Sequence, residues 1–240
     1  MNEPLEVIYR DEHLIAIHKP AGLLVHRTVL DRNETRFAVQ LLRDQIGQYV
    51  YPVHRLDRGT SGVLLFALDK EIGKLLSAQF EAQQVDKTYL AIVRGHPPEA
   101  GCIDHALTRQ FDDYEFRSVN ATTEAQPALT HYRRLAVTEL PHQVDIYPTS
   151  RYALLELKPQ TGRRHQLRRH LKHLAHPIIG DATYGKGRHN RLFQELFDCQ
   201  RMLLACLEMR LSHPRSGLPL QLAAPLAADF KSVLDGLGWA

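Results

Sequence analysis

The chain has 240 residues, of which 44% are hydrophobic and 24% charged, and its formal net charge is +3. This composition excludes a disordered or fibrous protein, and the mildly basic charge by itself is only weak support for a nucleic-acid partner. No apolar run reaches the roughly 18 residues of a membrane span, and the start lacks a signal peptide, so we expect a soluble cytoplasmic protein. The three cysteines lack CxxC spacing, so we expect neither a disulfide framework nor a zinc finger.

The first half of the chain predicts two strands, a helix, a strand and a second helix. "EVIYR" and "LIAIHK" flank the polar "DEH" and predict a hairpin that ends at Pro20. "TRFAVQLLRDQIG" predicts a helix with Gly47 as its C-cap, and the apolar run "GVLLFAL" at 62–68 predicts a buried strand. Asp69 suits the N-cap of a helix that continues to about residue 83, with an apolar face formed by Ile72, Leu75, Leu76 and Phe80.

The second half predicts further strands and a basic helix. "KTYLAIVRG" predicts a strand that Gly95 and Pro97 close, and the polar residues 100–128 predict an irregular excursion. Two strands follow in "THYRRLAV" and "YALLELK", then a helix over about 163–174. "LLACLEMRLSHPRSGLPLQLAA" predicts a hairpin that turns at "HPRSG".

These elements together predict an α+β fold with a mixed, largely antiparallel central sheet flanked by helices and loops. There is no internal repeat and no long linker, so we expect one compact domain over residues 1–240. Two lobes within that domain are compatible with the pattern, but the sequence does not show where they would divide.

A stretch without acidic residues runs from Leu157 to Gly180. Its density of positive charge suits contacts with phosphates, although a solvated helix face would explain it about equally well. The charged and histidine side chains are Lys158, Arg163, Arg164, Arg168, Arg169, Lys172, His165, His170, His173 and His176. The histidines lack a neighbouring carboxylate or cysteine that would complete a zinc site, and we expect no metal.

The stretch "HRLDRGTSG" at 54–62 places one carboxylate, Asp57, between Arg55 and Arg58 just before the predicted buried strand. Taken alone, it is more typical of a surface turn with an ion pair than of a catalytic site. The alternative is an acid that nearby guanidinium groups keep ionised as a nucleophile or base, which a third arginine from elsewhere would support. Tyr89, in "KTYLAIV", is likewise compatible with a core position or with a platform for an RNA base.

The ordered set "HRLDRGTSG", "KTYLAIVRG" and "LKPQTGRRHQLRRHLKHLAHPIIGD" resembles the large-ribosomal-type (RluA-type) pseudouridine synthases from about residue 5 to residue 225. Within that family, "GLLVHRTVLDRNE", "LLRDQIGQYV", "QPALTHYRRL" and "HLKHLAHPIIGDATYG" resemble the subgroup that modifies uridine 65 of tRNA. Ribosomal members often have an added N-terminal RNA-binding domain, and we expect none here because the chain starts directly with "LEVIYRDEHL".

The resemblance implies a role for each matching residue. Asp57 matches the essential aspartate of the family, and Arg55 resembles the arginine that helps push the target nucleotide out of its stack. Tyr89 matches the aromatic residue that stacks on the flipped uracil. Arg163 matches the basic residue that pairs with the aspartate, and Leu167 an apolar residue that lines the pocket. From the basic stretch itself we expect Arg168 to contact RNA phosphates.

The implied reaction detaches a uracil from ribose at N1 and rejoins it at C5 after the base has left its stack. It is an isomerisation without redox change, so we expect no metal, nucleotide or other cofactor. We expect tRNA as the partner, no membrane, and a monomer. A ribosomal-RNA substrate, a non-catalytic RNA-binding module and a hydrolase with a carboxylate nucleophile remain as alternatives, although a glycosidase usually needs a second catalytic carboxylate.

Overall fold

A computed structural model of the chain describes residues 4–26, 35–110 and 124–239. Within these ranges the chain forms twelve strands and five helices, so the fold is α+β as the sequence predicts. Residues 27–34, which belong to the quoted segment at 22–34, lie outside the described residues. So do residues 111–123 of the predicted irregular excursion.

The strands and helices have the following bounds. The strands are β1 (Glu6–Arg10), β2 (Leu14–Lys19), β3 (Tyr51–Pro52), β4 (Ser61–Ala67), β5 (Asp86–Arg94), β6 (Ala100–Asp104), β7 (Leu107–Thr108), β8 (Ala125–Gln126), β9 (Leu129–Leu140), β10 (Ser150–Pro159), β11 (Leu204–Ser212) and β12 (Pro219–Ala223). The helices are α1 (Ala38–Ile46), α2 (Lys70–Glu81), α3 (Gln166–His173), α4 (Gly187–Phe197) and α5 (Ala228–Gly236).

The chain divides into two compact units. The first contains the described residues of Met1–Lys87, Thr108–Gln126 and Leu207–Pro225. The second contains Thr88–Leu107, Pro127–Cys206 and the described residues of Leu226–Ala240. The sequence left this division open, and each unit draws on separated parts of the chain, which explains why no linker marks the boundary.

In the first unit, β1 pairs with β2, β2 with β4, and β11 with β12, all antiparallel. Every residue of β4 is buried, as expected for the continuous apolar run at 62–68. Both caps predicted in this unit are confirmed. The Asp69 side chain accepts a hydrogen bond from the backbone N–H of Ile72, and Gly47 ends α1 in the left-handed conformation.

In the second unit, β5, β10, β9 and β6 form consecutive antiparallel pairs. The apolar side chains of these strands and of α3 form a core cluster that includes Leu157, Leu167 and Leu171. In the β5–β10 ladder, Tyr89 lies directly opposite Leu157. This register places Tyr89 at the edge of the cluster, where its ring packs against the buried core.

The structure differs from the predicted elements in several places, among them the short strand β3, which the sequence analysis does not predict. The basic helix begins at Gln166 rather than near residue 163, because His165 has a left-handed backbone with φ of 54°. β6, β7 and β8 lie within residues 100–128, which the sequence predicts to be irregular. The helices α4 and α5 follow no clear sequence signal, since neither has a side-chain hydrogen bond at its N-cap.

Candidate active site

Asp57 lies in a tight turn directly before the buried strand β4. The backbone N–H of Thr60 donates to the carbonyl oxygen of Asp57 at 3.0 Å, which closes a four-residue turn with Asp57 at its first position. Leu56 and Thr60 are buried on either side, whereas Asp57 itself is partly exposed. The turn is therefore anchored at both ends and presents the carboxylate between the anchors.

The buried ammonium group of Lys19 stabilises the same turn through hydrogen bonds. Lys19 has no exposed surface, and its Nζ donates to the carbonyl oxygens of Leu23 at 2.7 Å, Pro20 at 2.9 Å and Arg58 at 3.3 Å. The carbonyl of Arg58 also accepts the backbone N–H of Gly22 at 2.8 Å. The loop after β2 is thus joined to the Asp57 turn by several hydrogen bonds that include a fully buried cation.

His54 fixes the start of the turn against β4. Its Nε2 accepts the backbone N–H of Leu65 at 2.9 Å, and its ring stacks on Phe80 with centroids 5.0 Å apart. Burial, reinforced by the positive charge of Lys87, lowers the pKa of His54 from 6.5 to about 3. The ring therefore stays neutral at physiological pH, as it must in order to accept a hydrogen bond from a backbone N–H.

The two arginines beside Asp57 are both exposed. The Nε of Arg58 donates to the carbonyl oxygen of Gly22 at 3.1 Å, so this arginine takes part in the attachment of the turn to the loop after β2. Arg55 lies between the His54 anchor and the buried Leu56, on the exposed side of the turn. This exposure is compatible with the contact to a nucleotide that the resemblance implies for Arg55.

Tyr89 and Leu167 belong to one apolar region of the second unit. Leu167 is buried on α3 within the core cluster, and the partly buried Tyr89 packs against the same cluster. An aromatic ring of this kind has one part supported by the core and another that remains accessible. Tyr89 therefore packs against the core, and its role as a platform for an RNA base stays a prediction.

Arg163 is held in the segment between β10 and α3. Its backbone N–H donates to Oε1 of Gln166 at 2.9 Å, and its carbonyl oxygen accepts the backbone N–H of Gln166 at 3.0 Å. Its side-chain Nε donates to the carbonyl oxygen of Pro127 at 3.1 Å. The pairing of Arg163 with Asp57 that the resemblance implies stays a prediction.

Arg168 makes a buried, bidentate ion pair. Its Nε and Nη2 donate to the two carboxylate oxygens of Asp181 at 2.7 and 2.8 Å, and its guanidinium lies 4.9 Å from the ring centroid of Tyr184. Burial alone would raise the pKa of Asp181, but hydrogen bonds from Arg168 and from the backbone of Tyr184 and Thr183 outweigh it and hold the pKa below its usual range. Since Arg168 is only 9% exposed, a phosphate contact from this residue stays a prediction, whereas Lys172 is exposed on the same helix.

The histidines of the basic stretch have partners within the protein. His170 and His176 are hydrogen-bonded to the carbonyl oxygens of His105 and Arg94, and the His173 ring stacks on His105. Among residues 4–26, 35–110 and 124–239, no three His, Cys, Asp or Glu side chains are grouped so as to hold a metal ion. No helix in this part of the chain is long and apolar enough to cross a membrane.

Comparison with known proteins places these residues in one family. The sequence model of the family described as RNA pseudouridylate synthase matches residues 13–173, more than half of the chain. The chain belongs to this family. RNA pseudouridylate synthases are isomerases, and Arg55, Asp57, Tyr89, Arg163, Leu167 and Arg168 all lie within the matched residues.

Several curated proteins and solved structures are similar to this pseudouridylate synthase over nearly its whole length. A tRNA pseudouridine synthase C of Pectobacterium carotovorum subsp. carotovorum is 54% identical over 235 residues, which cover 98% of this chain and 62% of that protein. Proteins of the same name from Vibrio cholerae serotype O1 and Yersinia pestis are 49% and 48% identical over 98% of this chain, and the alignment covers 96% and 91% of their own length.

The structure titled human RNA pseudouridylate synthase domain containing 4 has a TM-score of 0.71 and 27% identity, covering 97% of this chain and 93% of that one. The structure titled human RNA pseudouridylate synthase domain containing 1 has a TM-score of 0.70 and 28% identity, covering 93% of this chain and 84% of that one. The α+β fold of this chain is therefore that of solved pseudouridylate synthases.

The sequence analysis missed three residues whose side chains stabilise the backbone of the candidate site. Lys19, His54 and Gln166 each stabilise a predicted site segment through hydrogen bonds between side chain and backbone. The available signals were a lysine at the end of a buried strand, a histidine opening the Asp57 motif, and a glutamine three residues after Arg163. The last of these is the spacing of a capping box, in which a side chain reaches back to a backbone N–H three residues earlier.

Proposed function

We propose that this protein is a tRNA pseudouridine synthase that converts a flipped-out uridine, at position 65 of tRNA, to pseudouridine. The observation that carries this function is the turn at Asp57, which presents one carboxylate from a rigid, buried support in a chain of the pseudouridylate synthase family. The curated relatives carry the name tRNA pseudouridine synthase C at identities of 48–54%, and this supports tRNA as the substrate. Position 65 rests on the resemblance of the quoted segments to the subgroup with that target.

The reaction needs one group that acts beside the glycosidic bond. The N1–C1′ bond breaks, the uracil rotates while it is held in the pocket, and a C5–C1′ bond forms, with the proton at C5 leaving to solvent and N1 taking up a proton. A carboxylate can attack C6 of the base, attack C1′ of the sugar, or remove a proton from the ribose, and Asp57 serves each of these routes. The atoms balance without an oxidant, a reductant or a phosphate donor.

The other site residues handle the nucleotide. Arg55 lies exposed two residues before Asp57 and helps displace the uridine from its stack, while Tyr89 supplies a ring against which the uracil stacks. Leu167 lines the apolar part of the pocket, within the core cluster against which Tyr89 packs. We assign to Arg163 the role that the resemblance implies, that of the charge partner of Asp57. The exposed cations of the basic stretch, Lys172 among them, attract the phosphates of the tRNA.

The two compact units work as a single catalytic domain in this proposal, because the family match at 13–173 includes residues of both. The enzyme acts as a monomer in the cytoplasm, where tRNA is modified, and needs neither a metal nor a cofactor for an isomerisation.

Replacement of Asp57 by Asn tests the proposed function, with tritium release from tRNA that contains [5-³H]uridine as the assay. Asn keeps the size of the side chain but cannot act as an anionic nucleophile or base. We expect release by the wild-type protein and a loss of at least about 1,000-fold in the variant, as for removal of other essential catalytic groups. Undiminished release by Asp57→Asn would overturn the role of Asp57. Release from ribosomal RNA but not tRNA would assign the alternative substrate.

A further inference from the structure

Four buried side chains are joined by hydrogen bonds next to the segment that carries Arg163. They are Thr130 of β9, Thr161 after β10, and Gln166 and His170 of α3, and we call them the Thr130 network. Thr130 and His170 have no exposed surface, and Gln166 and Thr161 are 5% and 9% exposed. Gln166 and His170 are four residues apart on one face of α3, and both reach the Thr130 hydroxyl at 3.0 Å.

The hydrogen bonds around His170 can run in only one direction. The carbonyl oxygen of His105 can only accept, so Nε2 of His170, 3.0 Å away, carries the hydrogen. Burial lowers the pKa of His170, which favours the neutral ring with a bare Nδ1. That Nδ1 accepts the Thr130 hydroxyl hydrogen, which leaves the lone pairs of Oγ1 to accept from Gln166.

The orientation of the Gln166 amide is fixed independently by two backbone groups. The carbonyl oxygen of Leu129 can only accept, so it faces Nε2 at 3.1 Å, and the N–H of Arg163 can only donate, so it faces Oε1 at 2.9 Å. The two remaining positions of the amide are taken by the hydroxyls of the network. Nε2 donates to Thr130, and Oε1 accepts from Thr161 at 2.7 Å. Every donor and both oxygen lone pairs of the Gln166 amide are thereby used.

This arrangement holds the backbone of Arg163 on both sides. Its N–H is bound by the Gln166 side chain, and its carbonyl oxygen by the Gln166 backbone N–H. The Thr161 hydroxyl, which stabilises Oε1, itself accepts the backbone N–H of Leu129 at 3.0 Å, so the segment is also attached to the start of β9. The position from which the Arg163 guanidinium extends therefore depends on a hydrogen-bond chain that begins at His170.

We propose that Thr130, Gln166 and His170 are positioning residues of the pseudouridine synthase reaction, which act by fixing the backbone of Arg163. This role rests on the proposed function, because it presupposes that Arg163 is the charge partner of the catalytic carboxylate. Small displacements of a group that must meet a reacting centre are costly, since a shift of about 1 Å can lower the rate by about 100-fold. Loss of the Thr130 hydroxyl removes its hydrogen bonds to both Gln166 and His170 and should produce a partial displacement, which we expect to lower kcat by about tenfold.

The matched pair Thr130→Val and Thr130→Ser tests the network. Valine keeps the branched shape but removes the hydroxyl, whereas serine keeps the hydroxyl and removes only the methyl group. With tritium release from tRNA as the assay, we expect Thr130→Val to lower kcat about tenfold with KM within about twofold of wild type, and Thr130→Ser to retain most of the activity. Thr138→Val on the same strand is the control, because the Thr138 side chain makes no hydrogen bond to another described residue.

A double-mutant comparison separates positioning from general stability. If the Thr130 hydroxyl acts through Arg163, Thr130→Val should cost about tenfold in the wild-type background and less than about twofold in an Arg163→Ala background. Equal losses in both backgrounds would overturn the proposal, as would full activity of a folded Thr130→Val protein. If Thr130→Val does not fold, Thr161→Val and Thr161→Ser provide the same comparison, because the Thr161 hydroxyl supports the same Gln166 oxygen.

Failure of this role and failure of the proposed function give different results. A wild-type protein that releases no tritium from tRNA would contradict the proposed function itself. An active wild type, an inactive Asp57→Asn variant and a fully active Thr130→Val variant would retain the function and refute only the positioning role.

Discussion

His54 makes the stability of this protein depend on pH in a way that one substitution isolates. The folded state holds the pKa of His54 at about 3, because burial and Lys87 disfavour the imidazolium, whereas the ordinary value is 6.5. Between these two values the unfolded chain binds a proton at His54 that the folded protein does not. The free energy of unfolding therefore falls as the pH is lowered from 6.5 toward 3, and it is unaffected by His54 above that range.

The magnitude follows from the size of the shift. Each pH unit below 6.5 costs about 1.4 kcal/mol for one proton, so the His54 contribution reaches about 3 kcal/mol near pH 4.5 and on the order of 5 kcal/mol near pH 3. In structural terms, protonation of Nε2 would remove the acceptor for the Leu65 N–H and charge a ring stacked on Phe80. The anchor of the Asp57 turn would be lost at the same time.

The assay is urea unfolding of the wild-type protein and of His54→Gln between pH 4.5 and 8, followed by the fluorescence of the single tryptophan, Trp239. The glutamine oxygen can replace Nε2 as an acceptor but does not titrate. His170 and His189, whose pKa values burial also lowers, titrate in both proteins and cancel in the difference. We expect the wild type to lose about 1.4 kcal/mol more than the variant for each pH unit below 6.5. Parallel pH profiles for the two proteins would refute the assignment of a neutral His54.

Two further predictions concern the supports of the site and its RNA contacts. Lys19→Met should lower the free energy of unfolding by at least about 2 kcal/mol, because three backbone carbonyls lose the buried ammonium, and an unchanged urea midpoint would show that the ammonium is dispensable. Arg168→Ala should cost about 3–5 kcal/mol because it leaves the Asp181 carboxylate buried without its partner, and this would be measured by the same unfolding assay. The exposed Lys172→Ala should leave stability within about 0.5 kcal/mol of wild type but reduce the slope of log K against log salt for tRNA binding by about one, and an unchanged slope would remove Lys172 from the RNA-binding surface.

The sequence predicts those elements of the fold whose signals are local. The apolar run before Asp69 predicts β4, the Asp69 side chain predicts the start of α2, and Gly47 predicts the end of α1. The helices α4 and α5 are missed because their N-caps, Lys186 and Ala227, make no side-chain hydrogen bond. Such helices are stabilised mainly by packing against the rest of the protein, which a local pattern does not reveal.

In the candidate site, too, the sequence predicts the features that depend on neighbouring residues and misses those that depend on distant ones. Asp57 at a turn before a buried strand follows from neighbouring residues alone, and the structure confirms the turn. The partners that hold the site are distant in sequence: Lys19 contacts a carbonyl 39 residues away, and Gln166 a hydroxyl 36 residues away. These contacts depend on strand register and helix packing, so no motif spacing predicts them. The sequence predicts the start of α3 about three residues too early for a related reason. The Gln166 side chain accepts the backbone N–H of Arg163, and Arg163 itself is not part of the helix.

The measurement that tests the central claim most directly is a map of pseudouridines in cellular RNA, read in both tRNA and ribosomal RNA. It compares cells that lack this protein, cells that carry the wild type, and cells that carry Asp57→Asn at the same level. The account predicts that a pseudouridine at position 65 of tRNA is present only with the wild-type protein, while the ribosomal RNA map is the same in all three. Restoration of that pseudouridine by Asp57→Asn, or its presence in cells without the protein, would contradict the account.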